Sequence, residues 1–287
     1  LIMGSDGSGT IEETGALVKR NGRWKPGDDV VLVPFRSCGY CAYCLSGEEN
    51  LCREYRIPGE NMDGLQVEYI TVPETYILPK PEALSFGEAA AFPLATLTAY
   101  HMLVRKTRLH PGDRVLVYGA SSGVGGAAIQ IAKLYGCEVI STIGSESKRS
   151  PALDLGADHV INYNEESVGR TVLSLTDGAG VDVVFEHTGA STWPDSLRSL
   201  KRGGRIITCG ATTGPHVRID LRSLFIKHQQ LIGSTMGTRR DLVDIVRLFG
   251  QNKLKVIIDR TFPLEEIREA HTWLENAHRF GKVVLHF

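Results

Sequence analysis

The sequence predicts an α/β fold in which a doubly wound parallel sheet is joined to a second, smaller β-rich domain. Short apolar segments alternate with helical segments over most of the later chain, a rhythm typical of parallel sheets. A glycine-rich turn links one of these strands to a helix at residues 113–126. Nearer the N-terminus, short β segments with Gly and Pro between them surround four closely spaced cysteines.

The glycine-rich turn directly follows an apolar strand at residues 115–118. Gly119, Gly123 and Gly125 lie among small residues, and a helical segment follows. A pyrophosphate can approach such a backbone closely, and the helix N-terminus offers N–H groups and a partial positive charge. The alternative, an ordinary tight turn of a parallel sheet, is disfavoured by the strand–turn–helix context. The turn therefore predicts dinucleotide binding.

The remaining elements follow from periodicity and from Gly and Pro punctuation. In the doubly wound sheet we expect further strands at residues 137–143, 159–162, 181–186, 204–209 and 230–234. In the early part of the β-rich domain we expect strands at 27–34 and 67–72 and a helical segment at 84–105 that is broken at Pro93. After residue 236 we expect a helix at 241–249, a strand at 256–259, a helix from Pro263 and a strand at 282–287.

The charge and hydropathy of the chain argue against two classes of partner, nucleic acids and membranes. A formal net charge of −1 offers no basic surface for nucleic acid or for an anionic membrane. The uncharged run at residues 89–104 contains Pro93 and His101 and is shorter than a membrane-spanning helix requires. We therefore expect a cytoplasmic protein with a small-molecule substrate and without nucleic-acid or membrane partners.

Four of the six cysteines are Cys38, Cys41, Cys44 and Cys52. Four thiolates at this spacing can enclose one Zn²⁺ tetrahedrally, and a closed sulfur shell leaves no position for substrate. Disulfides or adventitious thiols are the alternatives. The clustering favours a reduced compartment and a structural zinc.

The chain opens on a turn at residues 4–9 without an earlier element to pair with, so we expect a front segment to be missing. Together the motifs GSDGSG, DGLQVEY, TLTAYHML, PGDRVLVYGASSGVG, LGADHVINY and FGKVVLHF resemble the zinc-type medium-chain dehydrogenases/reductases, the superfamily of alcohol dehydrogenases and quinone reductases. The resemblance implies a GroES-like catalytic domain, residues 1–97 and 237–287, and a Rossmann domain, residues 98–236. The GroES-like domain is expected to be incomplete at its N-terminus.

The resemblance also identifies the positions of a catalytic zinc. Family members use a His in a Gly-His-Glu triplet, a Cys from the expected front segment, and a Cys four residues before the Thr of the TLTAY-like helix. Ser5 and Leu94 stand at two of these positions, and neither provides a nitrogen or sulfur donor. We therefore expect no catalytic zinc, with Asp6, Glu60 or another carboxylate as the side chains that could still bind one.

Without that metal, hydrogen-bond donors must stabilise the developing oxyanion. By resemblance, Ser5 and Asp6 line the reaction site and Thr98 contacts the nicotinamide. Ser5 and Asp6 have an alternative role as local turn caps.

The cofactor choice depends on the end of the second strand. Glu146 lies about 20 residues beyond the glycine turn, where an acid would bind the ribose 2′-OH of NAD, but it falls beyond that strand. Ser145, Lys148 and Arg149 could instead bind a 2′-phosphate, which favours NADP(H) over NAD(H). Alternatively, Ser145 caps the next helix. The predicted cofactor contacts are Gly119, Ser122, Gly123, Val124, Ser145, Lys148, Thr188, Gly210 and Met236.

These observations lead to three functional hypotheses. The first is an NAD(P)(H)-dependent, alcohol dehydrogenase-like oxidoreductase acting on an alcohol/aldehyde or a conjugated carbonyl. The second is a zinc-independent quinone or enoyl reductase, and the third is a truncated nucleotide-binding protein without turnover. The resemblance implies a homodimer or homotetramer paired through a sheet edge, either residues 230–234 or 204–209.

Overall fold

The computed structural model of the protein describes residues 1–276 and 278–287, which form two compact units. Unit 1 comprises Leu1–Leu97, Gly237–Asn276 and Lys282–Phe287, and unit 2 comprises Thr98–Met236 and residues 278–281. The sequence prediction assigned 278–281 to the first domain. The Gly281 N–H donates to the Ser121 carbonyl at 3.0 Å, which ties this stretch to unit 2. Within the described residues, no helix combines the length and apolar character needed to cross a bilayer.

The N-terminal part of unit 1 contains a small antiparallel sheet with strands in the order β1-β2-β3. These strands are β1 (Ser8–Thr10), β2 (Asp29–Leu32) and β3 (Ile77–Pro79). Trp24, Val30, Leu32 and Ile77 form its apolar core. The helices up to Tyr100 are α1 (Ala16–Asn21), α2 (Ala42–Leu45), α3 (Phe86–Ala91) and α4 (Pro93–Tyr100), followed by a π-helical turn at His101–Lys106.

The strand predicted at residues 67–72 is wrong. This stretch is irregular, and Tyr69 and Ile70 are 71% and 41% exposed. A strand needs a neighbour that accepts and donates backbone hydrogen bonds, and among the described residues none pairs with this segment. The third strand is β3 instead, which pairs with β2.

Unit 2 contains a six-stranded parallel sheet in the order β6-β5-β4-β7-β8-β9. Its strands are β4 (Arg114–Val117), β5 (Glu138–Ile143), β6 (His159–Asn162), β7 (Val181–Glu186), β8 (Leu200–Thr208) and β9 (Gln230–Gly233). Its helices are α5 (Gly123–Leu134), α6 (Arg149–Asp154), α7 (Val168–Leu175), α8 (Trp193–Ser199) and α9 (Leu221–Ile226). Leu116, Ile140, Val184 and Ile206 form part of a continuous buried core.

The strand order of this sheet has two consequences. The order reverses between β4 and β7, and ligands of open α/β sheets bind beyond the carboxyl ends of the strands at such a point. Residues 204–209, one of the two predicted sheet edges, lie mainly in β8, which is flanked by β7 and β9. That alternative is therefore wrong, and β9 is the edge strand on this side.

The later part of unit 1 contains α10 (Arg239–Gly250), β10 (Ile258–Pro263), α11 (Ile267–Leu274) and β11 (Lys282–His286). β10 and β11 pair in parallel. The predicted strand 256–259 is shifted toward the C-terminus because residues 260–263 supply most of this pairing. The predicted fold class, a parallel α/β sheet together with a smaller β-rich domain, is confirmed.

Candidate functional site

The glycine turn after β4 is built for close backbone approach. Gly119 has φ +65°, a left-handed conformation that glycine adopts without steric cost. The Ser122 Oγ caps α5 by accepting the Gly125 N–H at 2.9 Å. A Cβ at Gly125 would overlap the Gly119 carbonyl. Gly123 and Val124 open α5, where the first N–H groups of a helix have no intrahelical acceptor and can bind a phosphate.

The loops after β7 and β8 lie side by side at the same edge of the sheet. Glu186 and Thr208, at the ends of the two strands, are register partners. A Cβ at Gly210 would lie 2.7 Å from the His187 carbonyl. The Thr188 carbonyl accepts the Thr213 N–H at 2.8 Å. Thr188 and Gly210, both predicted cofactor contacts, are thus brought into neighbouring loops.

His187 links these loops to the glycine turn. Its Nε2 donates to the Tyr118 carbonyl at 2.9 Å, and its ring lies 3.5 Å from the position of a Cβ at Gly119. The carboxyl edge of the sheet therefore presents the glycine turn and the two loops as one continuous surface of unit 2.

The end of β5 carries no acidic side chain. The residue after the strand is Gly144, and Glu146 lies further on in an ion pair with Arg149. The hydrogen bond from Arg149 lowers the pKa of the Glu146 carboxyl. Ser145 is the N-cap residue of the next turn, but its Oγ contacts the Ser147 Oγ at 3.0 Å and makes no side-chain cap hydrogen bond.

Two side chains flank Gly144 and the glycine turn. Lys148 is buried, and its Nζ donates to the Ser121 Oγ at 3.1 Å. The phenol of Tyr163, a residue that the sequence interpretation missed, occupies the space that a side chain at position 144 would need. Tyr163 directly follows β6, the strand paired with β5, and this parallel pairing was the signal that could have identified it.

Thr98 and Met236, two predicted site residues of unit 2, are in contact. The Thr98 Oγ1 donates to the Met236 Sδ at 3.7 Å, and each residue is 5% exposed. Met236 has φ +50°, a strained conformation for a residue other than glycine, which persists only where surrounding structure enforces it.

In unit 1, Asp6 is held by residues distant in sequence. Its Oδ1 accepts the Leu94 N–H at 2.7 Å, and its Oδ2 lies 3.0 Å from the Lys282 Nζ. These contacts replace the alternative of a local turn cap for Asp6. Ser5, beside it, is half-buried. Among the described residues, the four-cysteine cluster is the sole group of three or more side chains arranged to bind a metal.

The four cysteine sulfurs fit a zinc ion. All four lie within 4.8 Å of one another, with Cys38–Cys44 at 3.8 Å and Cys41–Cys44 and Cys52–Cys38 at 3.6 Å. A tetrahedral zinc with bonds of about 2.3 Å places its sulfurs about 3.8 Å apart. The Tyr40 backbone N–H lowers the pKa of the Cys38 thiol to about 7, which favours the thiolate that binds metal.

Two family models match the chain: the zinc-binding dehydrogenase family over residues 123–251 and the alcohol dehydrogenase GroES-like domain over residues 1–82. A crotonyl-CoA carboxylase/reductase from Cereibacter sphaeroides is 33% identical over 99% of this chain and 72% of its own length. An alcohol dehydrogenase from Geobacillus stearothermophilus is also 33% identical, over 99% of this chain and 82% of its own length.

Solved structures agree with these matches. A crystal structure of an NAD-dependent alcohol dehydrogenase has a TM-score of 0.94 and 44% identity, covering 100% of this chain and 82% of the other. A crotonyl-CoA carboxylase/reductase in complex with NADP has a TM-score of 0.91 and 29% identity, covering 99% and 76%. The chain therefore belongs to the zinc-type medium-chain dehydrogenase/reductase superfamily and is an NAD(P)-dependent oxidoreductase of the alcohol dehydrogenase-like type.

Proposed function

We propose that the protein is an NADP(H)-dependent reductase of conjugated carbonyl compounds that contains a structural zinc and operates without a catalytic zinc. The observation that carries this proposal is the set of side chains at the catalytic-metal positions. Ser5 and Leu94 provide no nitrogen or sulfur donor, and both Asp6 oxygens are engaged, by the Leu94 N–H and by Lys282. A carboxylate in this arrangement has little free capacity for a cation.

The chemistry then depends on hydrogen-bond donors. NADPH, when bound, would supply a hydride to the conjugated C=C, and the carbonyl oxygen of the acceptor would then need hydrogen-bond donors for its negative charge until the product is protonated. Donors aimed at that oxygen stabilise the charge. We assign this task to a hydroxyl, with Ser5 of unit 1 as the candidate donor. The relatives named crotonyl-CoA and acryloyl-CoA reductases support a conjugated acyl compound as the substrate class.

Three features support NADP(H) over NAD(H). Gly144, the residue after β5, lacks the carboxylate that would bind a ribose 2′-OH. The Tyr163 phenol fills the space where such a side chain would lie. Lys148 presents an ammonium group beside the Ser121 hydroxyl of the glycine turn, and a charged amine favours a 2′-phosphate. Arg149, proposed from the sequence as a further phosphate ligand, is instead occupied by Glu146.

The four-cysteine cluster would hold the structural zinc. Cys38, Cys41, Cys44 and Cys52 supply four sulfur ligands, so the ion has no open position for substrate or water. Its role would be to hold residues 38–52 in shape. Thiols that must stay reduced to bind metal support a cytoplasmic location.

A second candidate function is reversible oxidation of an alcohol. It is favoured by the 44% identity to an NAD-dependent alcohol dehydrogenase structure. Elemental analysis of the purified protein, combined with assays on crotonyl-CoA, a simple enone and a panel of primary and secondary alcohols, separates the two. We expect one zinc per chain and NADPH oxidation with the conjugated acceptors. Two zincs with alcohol oxidation would overturn the proposal.

We also propose that two copies pair through β9. This strand forms one edge of the sheet, where unpaired backbone groups favour the addition of another strand. Nearby, α9 exposes Leu221, Phe225 and Ile226 at 68%, 65% and 53%. Light scattering is expected to give a dimer or a tetramer, and a monomer at micromolar concentration would contradict this assembly.

A further inference from the structure

Glu186, the last residue of β7, is 0% exposed, and its carboxylate receives four hydrogen bonds. The Oε1 accepts the backbone N–H groups of Thr188 at 2.6 Å and Gly189 at 3.1 Å. The Oε2 accepts the hydroxyls of Thr192 and Ser196, both at 2.8 Å. One buried carboxylate therefore fixes the chain from the end of β7 into α8.

The loop held by Glu186 in turn holds the loop after β8. The Thr188 carbonyl accepts both the N–H and the Oγ1 hydroxyl of Thr213 at 2.8 Å. The Ala190 N–H donates to the Gly214 carbonyl at 3.1 Å. Gly189 has φ +98°, and a Cβ there would lie 2.7 Å from the same carbonyl. Residues 187–192 and 210–214 thus form one connected layer, which we call the β7–β8 loop pair.

The β7–β8 loop pair lies on a defined half of the dinucleotide site. Sheets of this kind consist of two mononucleotide-binding halves, and the half with the glycine turn binds the adenosine end. In this chain that half is β4, β5 and β6, whereas β7, β8 and β9 form the other. In that arrangement the β7–β8 loop pair would flank the nicotinamide half of a bound cofactor.

We propose that Glu186 is a positioning residue for the nicotinamide half of the cofactor. Glu186 is buried below the loop surface and acts through Thr188 and its neighbours without touching the cofactor. This inference rests on the NAD(P)(H) site of the proposed function. Without the carboxylate, the two backbone N–H groups lose their acceptor, and the two hydroxyls keep their longer hydrogen bonds to the Gly189 and Thr192 carbonyls. The β7–β8 loop pair must then be reordered whenever the nicotinamide half binds.

The chemistry of the four donors predicts how substitutions rank. Leu at position 186 removes every acceptor. Gln keeps one oxygen for the two backbone N–H groups, and its NH₂ can donate to the Thr192 and Ser196 hydroxyls, because hydroxyls accept as well as donate. Glu186→Gln is therefore the conservative variant that should retain the function of the carboxylate, whereas Glu186→Leu should lose it.

The test compares two probes on each variant. NADPH reports both halves of the site, and 2′,5′-ADP reports the adenosine half alone. We expect Glu186→Leu to weaken NADPH binding about tenfold, as one or more unsatisfied buried donors imply, with 2′,5′-ADP binding unchanged within about twofold. Glu186→Gln should stay within about threefold of the unmodified protein for both probes. Thr192→Val removes one hydroxyl donor to Glu186 and should weaken NADPH binding by a smaller factor, with 2′,5′-ADP binding unchanged. This variant replaces Glu186→Leu in the test if Glu186→Leu does not fold.

Equal losses for both probes, or unchanged NADPH affinity in the folded variants, would overturn the inference while leaving the proposed function intact. A wild-type protein that prefers NADH would overturn the NADP assignment alone. The same comparison with NADH and 5′-AMP would then test Glu186. Circular dichroism and melting curves of each variant separate a loss of fold from a loss of cofactor positioning.

Discussion

The Asp6 carboxylate and the Lys282 ammonium lie 3.0 Å apart although 276 positions separate them in the chain. Their side chains are 11% and 31% exposed, so the pair is only partly screened by water. The other Asp6 oxygen accepts the Leu94 N–H. One carboxylate thus joins the beginning of unit 1, the start of α4 and the strand β11.

Lys282→Met is expected to destabilise unit 1 because it leaves a mostly buried carboxylate without its cation. We expect a loss of about 1–2 kcal/mol in unfolding free energy, measured by urea denaturation. Lys253→Met, which removes an exposed lysine of the same unit, is the control and should change stability by less than about 0.5 kcal/mol. Equal stability of both variants would show that the ion pair contributes nothing measurable.

Cys52→Ser is expected to abolish zinc binding, because three thiolates and a hydroxyl make a poor tetrahedral site. Elemental analysis should fall from about one zinc per chain to a trace, with a lower melting temperature. Cys209→Ser, a thiol outside the cluster, should keep its zinc. Retention of zinc by Cys52→Ser would exclude this cluster as the site.

Lys148→Met should weaken NADPH binding more than NADH binding, because only NADPH carries the 2′-phosphate that an ammonium group can neutralise. We expect about a tenfold loss for NADPH and less than about a threefold change for NADH, measured by fluorescence titration. Lys253→Met is again the control. Parallel losses for both cofactors would contradict the assignment of Lys148 to the 2′-phosphate.

Asp182 should contribute to the acid limit of stability. Burial opposes its ionisation, but the Arg114 N–H and the Lys201 ammonium outweigh this effect and lower the pKa of the Asp182 carboxyl. A carboxyl with a lowered pKa in the folded state stabilises the fold above its unfolded value of about 3.9 and loses that contribution as the pH falls through the folded value.

We therefore expect Asp182→Asn to flatten the dependence of unfolding free energy on pH below about pH 4. Denaturation at a series of pH values measures this slope. Asp154→Asn, at an exposed aspartate, should keep the unmodified slope. An unchanged slope in Asp182→Asn would mean that other carboxyls govern acid unfolding.

The features that the sequence predicted best are local. The four clustered cysteines fall within residues 38–52, and the glycine turn lies within residues 113–126. Spacing alone encodes both, since neighbouring residues must be close in space. The strands β6 and β7 were predicted with their observed bounds because buried parallel strands form continuous apolar runs.

The features that the sequence did not predict depend on contacts between residues that are far apart in the chain. Tyr163 covers Gly144 only because β5 and β6 lie side by side. Asp6 meets Lys282 only because unit 1 joins two separate stretches of chain. The wrong strand at 67–72 had a suitable residue pattern, but no described strand pairs with it. A residue pattern specifies which segments are able to pair, whereas the tertiary fold decides which of them do.

Because unit 1 consists of stretches of chain on both sides of unit 2, its parts are synthesised at different times on the ribosome. Every strand of the unit 2 sheet has been synthesised by Gly233, whereas unit 1 still lacks α10, β10 and β11 at that moment. Domains generally fold as units during synthesis, so the nucleotide-binding sheet is expected to form first. Phe92, an early residue of unit 1 whose ring packs on that of Phe249 in α10, then lacks its partner, so we expect apolar surface of unit 1 to stay exposed in the nascent chain until α10 has been made.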